Sequence, residues 1–234
     1  MSGLLEVVVL HRADAERAEA GGADRIELRG SIDHDGRAPT PAMVDTVRRA
    51  TSIQLRPLVR LRDGFGTDGG EATRLVGLIS SYLDAGADGV VLGFVSGLGQ
   101  VDTEVITALV GNLGFAWTFD RAIDSCLDAD QAWRALLRLP GLDQVLTAGS
   151  ARDVDHGLDE LVRRARSDPQ VAQLMMAGGG LHPDHVPWLV RAGVRAFHLG
   201  AQARPQASWK TYVDEAFVRS WRTLLDSEIR HLAS

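Results

Sequence analysis

Ionisable side chains crowd one stretch near the middle of the chain, where residues 115–120 run into Asp120, Arg121 and Asp124. Residues 115–120 alternate large apolar side chains with small or polar ones, which is typical of a β-strand. A parallel strand that ends in charge places those groups at the carboxyl edge of a sheet, where α/β proteins carry out their chemistry. There a carboxylate can act as general acid or base while a guanidinium holds an anion. We therefore predict catalytic roles for these three residues.

Other predicted strands carry polar residues that alternate with apolar ones and so share one face. Because apolar neighbours pack outward on helices, the polar residues turn inward. This inward set is Glu6, Glu27, Arg56, Arg60, Thr118, Asp120 and His198. Buried charges persist when they are paired, so we predict mutual pairing of Glu6, Glu27, Arg56 and Arg60. Two alternatives stay open: the charges only stabilise the interior, and His198 is a core histidine with its hydrogen bonds satisfied.

Two glycine-rich segments follow the last two predicted strands. They contain Gly178, Gly179 and Gly180 in the first and Gly200 in the second. Many barrels bind phosphate at these two loops through exposed backbone N–H groups. Thr147 and Ser150, after the sixth strand, can add hydroxyl groups to the same rim. The pattern predicts a site for phosphate or another small anion, although tight turns are also rich in glycine.

Repeated helix–strand units position the candidate site residues. Four segments place glycine after a helical stretch and before a short β-rich run, which is typical of helix-to-strand joints. The predicted strands cover residues 4–10, 25–28, 53–60, 89–92, 115–120, 144–147, 171–176 and 195–198, with helices such as 71–85, 154–165 and 212–231 between them. Eight alternating units predict an α/β fold, a TIM (β/α)8 barrel, as a single domain over residues 1–234. A doubly wound open sheet is the alternative.

Composition excludes several classes of function. The chain has 234 residues, 45% of them hydrophobic, and a net charge of −6, so it offers no electrostatic reason to bind nucleic acid or an anionic membrane. Cys126 is the single cysteine, which rules out a disulfide within the chain and favours the cytoplasm. The apolar run 4–10 contains Glu6 and lacks a basic region before it, unlike a signal peptide. We expect a soluble cytoplasmic protein with no membrane partner.

Taken together, these segments resemble the CutC family, whose members are labelled copper homeostasis proteins. The resemblance rests on residues 5–7, 22–28, 60–62, 118–124, 145–149, 176–180 and 194–198, in this order. It implies a TIM-type barrel, a cytoplasmic location, self-association as a dimer or larger oligomer, and copper as the associated metal. It also implies a pocket carried over onto Glu6, Glu27, Arg60, Arg62, Arg121, Asp124 and His198.

The chain departs from the family's usual pattern at possible metal ligands. Asp120 and Arg56 stand where relatives usually have histidine, and Val8 and Arg29 stand where cysteine is common. Copper(I) prefers thiolate and thioether ligands, and imidazole also suits copper. Cys126 and His198 remain as candidate metal ligands, and Met175 or Met176 would count only if it faced the pocket.

Three functions follow. The first is a CutC-like, copper-associated protein. The second is an enzyme for a small anionic metabolite, with or without a phosphate group, in which Asp120 or Glu27 acts as general acid or base with His198 as its partner. The third is a non-catalytic barrel scaffold.

Overall fold

The computed structural model describes residues 3–33, 36–111 and 114–233. In these residues eight parallel strands form one sheet: Leu4–Val9 (β1), Arg25–Leu28 (β2), Gln54–Pro57 (β3), Gly89–Leu92 (β4), Ala116–Phe119 (β5), Leu142–Thr147 (β6), Met175–Gly178 (β7) and Ala196–Leu199 (β8). Their order is β3-β2-β1-β8-β7-β6-β5-β4. Between β3 and β4 the ladder is reduced to a parallel bridge, in which the Val59 amide donates to the Val91 carbonyl over 2.8 Å. The sheet thus closes, apart from this thin seam, into the predicted TIM barrel.

Helices surround this sheet. They are Arg12–Ala20 (α1), Pro41–Arg48 (α2), Gly69–Asp84 (α3), Thr103–Val110 (α4), Ala129–Leu136 (α5), Val154–Ser167 (α6), Pro169–Leu174 (α7), Val186–Ala192 (α8) and Glu215–Ala233 (α9). Several begin at an aspartate that accepts a hydrogen bond from a first-turn amide, as Asp68 does for α3 and Asp128 for α5. The helices predicted over 71–85, 154–165 and 212–231 are confirmed as α3, α6 and α9. Among the described residues, no helix combines the length and apolarity needed to cross a membrane.

Alternation along the strands separates an outer core from a polar interior, as predicted. On β1, Leu5, Val7 and Val9 are fully buried in the hydrophobic layer between sheet and helices, whereas Glu6 points into the barrel. On β5, Trp117 and Phe119 belong to the same outer layer. The interior is therefore left to side chains that must satisfy one another by hydrogen bonds and ion pairs.

The predicted seventh strand is wrong over most of its length. Residues 169–174 form helix α7, and β7 begins only at Met175. Asp168 caps this helix by accepting from the Gln170 amide over 2.8 Å, and Pro169 occupies the first helical position, where its missing N–H is harmless. The third strand is also shorter than predicted: its ladder ends at Pro57, and Leu58 belongs to the bridge with β4.

Candidate functional site

A cavity of about 300 Å³ opens at the carboxyl ends of the strands. It is lined by Val8, Arg29, Arg60, Phe65, Asp120, Arg121, Asp124, Ser125, Leu146, Ala151, Gly179, Gly180, His198, Gly200, Ala201, Gln202 and Trp209. The predicted site residues Arg60, Asp120, Arg121, Asp124, Gly179, Gly180, His198 and Gly200 are among them. Residues far apart in the sequence meet here because parallel strands of a barrel all end on the same face.

His198 and Arg29, which line the cavity, belong to a chain of charged groups on β1, β2 and β8 and just after β2; its other members, Glu6, Arg25 and Glu27, are buried outside the lining. Nδ1 of His198 lies 2.7 Å from Oε1 of Glu6, and Nε2 lies 3.7 Å from Oε2 of Glu27. Arg25 Nε donates to the other oxygen of Glu6. Arg29 donates two hydrogen bonds to Glu27, from Nε to Oε1 at 2.7 Å and from Nη2 to Oε2 at 3.1 Å. Each carboxylate is thus paired with an arginine, and His198 lies between the two carboxylates.

The charge of Glu6 is set by these neighbours. Full burial by itself would raise the pKa of Glu6, but Arg25 and His198 more than offset that effect, so the pKa lies well below its ordinary value of 4.5. Glu6 is therefore ionised at neutral pH. An ionised carboxylate only accepts hydrogen bonds, which places a proton on Nδ1 of His198.

Arg60 and Asp120 form a second pair in the cavity wall. Arg60 Nη2 donates to Oδ2 of Asp120, and both side chains are nearly buried. Oδ1 of Asp120 accepts from the Ala122 amide over 2.9 Å, because Asp120 caps the 3₁₀ turn Arg121–Ser125. The Arg60 guanidinium also lies over the Phe65 ring, 4.6 Å from its centroid. Asp120 thus orients Arg60 and starts the turn that carries the next pair.

Arg121 and Asp124 form the third pair. Arg121 Nε donates to Asp124 over 2.8 Å, and Nη2 donates to the carbonyls of Ser150 and Arg152 at 3.2 and 3.1 Å. Burial raises the pKa of the Asp124 carboxyl, although hydrogen bonds from Thr147, a backbone amide and Arg121 partly offset it. Nη1 of Arg121 makes no hydrogen bond within the described residues.

The glycine segments supply open backbone N–H groups. The amides of Gly179, Gly180, Gly200 and Ala201 make no hydrogen bond to the described part of the chain. Gly179 and Gly180 have φ of 92° and 80°, a left-handed conformation that side chains disfavour. A Cβ at Gly179 would lie 2.8 Å from Nη1 of Arg121, so the glycine lets the backbone pass directly over the guanidinium. Cationic and amide N–H groups therefore meet at the rim by β5, β7 and β8.

Some of the predicted residues lie away from the cavity. Arg56 donates to Thr118 over 2.7 Å and forms a two-pronged ion pair with Asp143, both bonds 2.6 Å, toward the amino ends of the strands. Arg62 is exposed and pairs with Asp68 and Glu71.

Among the predicted glycine and hydroxyl residues, Gly179, Gly180 and Gly200 line the cavity, whereas Gly178, Ser150 and Thr147 do not. Gly178 packs behind His198, outside the lining. Ser150 offers its carbonyl to Arg121, while its own hydroxyl donates to the Asp153 carbonyl. The Thr147 hydroxyl donates to Asp124 over 2.6 Å and so acts behind the wall.

The predicted pairing among four interior charges is wrong in its partners. The direct ion pairs are Glu6–Arg25, Glu27–Arg29, Arg56–Asp143 and Arg60–Asp120. Register sets Glu6 beside Arg25 on β2 and beside His198 on β8. It also sets Glu27 beside Arg56 on β3, yet Glu27 pairs with Arg29 two residues further along, and Arg56 reaches Asp143 on β6.

Four residues that belong to the site or to its ion pairs were not predicted from the sequence. Arg25 could have been found, since it shares the parity of Glu27, and Asp143 lies one residue before the predicted sixth strand. Phe65 and Trp209 lie in loops, where no periodic pattern marks them.

The donor atoms fit copper(I) poorly. Among the described residues, Glu6, Glu27 and His198 place one ligand atom each within 4.8 Å of the others, a set of oxygen and nitrogen donors suited to harder divalent ions. Cys126 lies outside the cavity, and burial together with Asp124 raises the pKa of its thiol to about 11. The Met176 sulfur faces the interior and accepts from Arg25 at 3.4 Å.

Comparison with known proteins agrees with the sequence pattern. The model of the CutC family matches residues 3–203. A CutC family protein of Klebsiella pneumoniae (strain 342) is 32% identical over 200 residues, covering 85% of this chain and 80% of the relative. One from Citrobacter koseri is 34% identical over 205 residues, covering 86% and 80%. The solved structure of the putative copper homeostasis protein CutC from Streptococcus agalactiae superposes with a TM-score of 0.75 at 21% identity, over 85% of this chain and 98% of that one. The chain belongs to the CutC family.

Proposed function

We propose that the cavity binds a small anionic metabolite, with a phosphate or similar oxyanion at the rim by β5, β7 and β8, and exchanges a proton with it through His198. The observation that carries this proposal is Nη1 of Arg121, which is unpartnered within the described residues and lies next to Gly179. The same cavity is lined by Gly180, Gly200 and Ala201, whose amides, like that of Gly179, make no hydrogen bond to the described residues. Backbone N–H groups and a guanidinium fork are the groups that bind oxyanions most effectively. A volume of about 300 Å³ suits a small metabolite.

The carboxylates of Asp120 and Asp124 in the cavity wall do not prevent the binding of an anion, because both are already paired. Asp120 is engaged by Arg60 and a backbone amide, and Asp124 by Arg121, Thr147 and another amide. Their role in the proposal is to orient the arginines. This revises the expectation that Asp120 is itself the acid or base.

His198 has the arrangement expected of a proton-transfer group. Its Nδ1 bonds to ionised Glu6, which fixes the ring and stabilises the imidazolium that forms when Nε2 takes a proton. Glu27, held by Arg29 with Oε2 3.7 Å from Nε2, adds a second carboxylate near that imidazolium. The proposed chemistry is therefore general acid–base catalysis on a bound anion.

Calorimetric titration with inorganic phosphate and glycerol 3-phosphate at low ionic strength tests the binding step. Arg121→Met should weaken both by about 10- to 100-fold, the effect of one charge-assisted hydrogen bond. Arg74→Met, on the exposed face of α3, is the matched control and should leave affinity unchanged. Equal affinities in wild type and Arg121→Met would contradict the proposal.

Nuclear magnetic resonance with ¹⁵N-labelled histidine tests the proton step. The signal missing in His198→Gln should shift on phosphate addition, and a signal that stays in place would remove His198 from the mechanism.

Metal binding at Glu6, Glu27 and His198 is the second candidate. It is favoured by the convergence of their ligand atoms and by the Streptococcus agalactiae relative, which is called a putative copper homeostasis protein. Anaerobic copper(I) titration against a competing chelator, repeated with Zn²⁺ and Mn²⁺ alone, tests it. Binding that outcompetes the chelator and is lost in His198→Gln but kept in Cys126→Ser would establish this candidate in place of the anion. No binding above that of His198→Gln would remove it.

A further inference from the structure

The segment after β8 brings a tryptophan to the cavity. Trp209 is half-buried and lines the cavity with Gly200, Ala201 and Gln202 from the same segment. The family match ends at residue 203, so Trp209 comes from a part of the chain beyond it. Trp209 therefore lies beyond the part of the chain that matches the family model, next to a site built by strands within that part.

The ring rests on a fixed base. Its centroid lies 5.0 Å from the guanidinium of Arg204, which is 1% exposed. Arg204 in turn bonds to the fully buried Asp14 at 2.7 Å and to the carbonyls of Val8 and Thr211 at 3.2 and 2.6 Å. These contacts tie the segment to β1 and α1. A rigidly held ring loses little conformational entropy when a ligand settles on it.

The ring also passes close to the proposed anion site. A Cβ at Gly200 would lie 3.2 Å from Cζ2 of Trp209, so the ring edge lies against a residue whose open amide belongs to that site. Phe65, in the loop between β3 and α3 and three strands along the barrel, gives the cavity a second aromatic ring. A ligand with its anion at Gly200 would reach the Trp209 ring with the group attached to that anion.

We propose that Trp209 forms a stacking subsite for a planar ring carried by the anionic ligand, which makes the ligand an aryl or heteroaryl phosphate or a similar ring-bearing oxyanion. The inference rests on the proposed anion site. Stacking on an aromatic side chain should favour such a ligand by about 5- to 50-fold over an aliphatic one of equal charge.

Phenyl phosphate and ethyl phosphate are probes that share a charge and differ in the ring. Calorimetry on the wild type should give phenyl phosphate the tighter binding by about 5- to 50-fold. Trp209→Ala should reduce that ratio to about one while ethyl phosphate affinity stays within about twofold. Trp209→Phe should keep most of the ratio. Trp188→Ala is the matched control, because Trp188 is an exposed tryptophan on α8 away from the cavity lining.

Each contrary result has a separate meaning. A wild-type ratio near one, or a ratio that survives in Trp209→Ala, overturns the stacking subsite and leaves the anion site standing. Loss of ethyl phosphate binding in Trp209→Ala also overturns it, because the ring would then shape the anion site. Failure of both probes and of inorganic phosphate to bind the wild type overturns the proposed function itself.

Discussion

Substitution of two neighbouring glycines distinguishes the effect of backbone strain at the rim from the loss of the anion-binding Arg121. Gly179 and Gly180 have φ of 92° and 80°, so alanine at either position carries the same left-handed penalty of about 1–2 kcal/mol. For a chain of this length, about 1 kcal/mol corresponds to 2–4 °C in Tm. Gly179→Ala and Gly180→Ala should therefore each lower Tm by about 2–8 °C in differential scanning fluorimetry.

The two variants should differ in phosphate affinity. A Cβ at residue 179 would lie 2.8–3.0 Å from atoms of the Arg121 guanidinium, whereas one at residue 180 would meet Cβ of Asp153 at 2.9 Å. In Gly179→Ala the Arg121 guanidinium must shift, and we expect Nη1 to lose its place at the rim. The lost charge-assisted bond is worth about 1.5–3 kcal/mol, or a 10- to 100-fold rise in Kd for Gly179→Ala alone. Equal losses of affinity in both variants, or none in Gly179→Ala, would refute the reasoning.

Three further predictions concern buried groups. Asp14→Asn leaves Arg204 without its buried partner and should lower the free energy of unfolding in urea by about 3–5 kcal/mol, against about 0.5 kcal/mol or less for the exposed control Asp45→Asn. The pKa of Glu6 is depressed in the folded state, so the unfolded carboxyl takes up its proton first as pH falls. Stability should therefore drop by up to about 1.4 kcal/mol per pH unit below pH 4.5, and Glu6→Gln should flatten this slope in urea titrations from pH 5 to about 3. Because the pKa of Cys126 is raised from 9.0 to about 11, the native thiol at pH 8 should hold about 100-fold less thiolate than the urea-unfolded one. A thiolate of higher pKa is the stronger nucleophile, so iodoacetamide should alkylate the native thiol about 10-fold more slowly, and equal rates would contradict the raised pKa.

Strand parity predicted much of the site because it depends only on local alternation. Glu6, Glu27 and His198 could be assigned to the interior because each lies between residues that pack outward, and Asp120 because it follows the outward Phe119. Gly179 could be assigned to the rim from its place after β7.

Partner choice lies beyond local alternation, because it depends on register between strands and on which side chains reach across the barrel, as Arg56 does to Asp143. The pairing of Glu6 with Arg25 follows from the alignment of β1 with β2, which no local pattern encodes. Helix α7 is a different case: Asp168 and Pro169 mark a helix start, but the short apolar run after them is equally typical of a strand. Trp209 lies in a loop with no periodicity. Self-association, a single domain over residues 1–234 and a cytoplasmic location stay predictions.

Crystals soaked with tungstate, a tetrahedral oxyanion with a strong anomalous signal, test the proposed anion site most directly. We predict an anomalous peak at the rim, with oxygens about 3 Å from Nη1 of Arg121 and from amides among Gly179, Gly180, Gly200 and Ala201. The peak should vanish in Arg121→Met crystals soaked alongside. Tungstate bound only elsewhere on the protein, with the cavity free of it in wild-type crystals, would contradict the anion site.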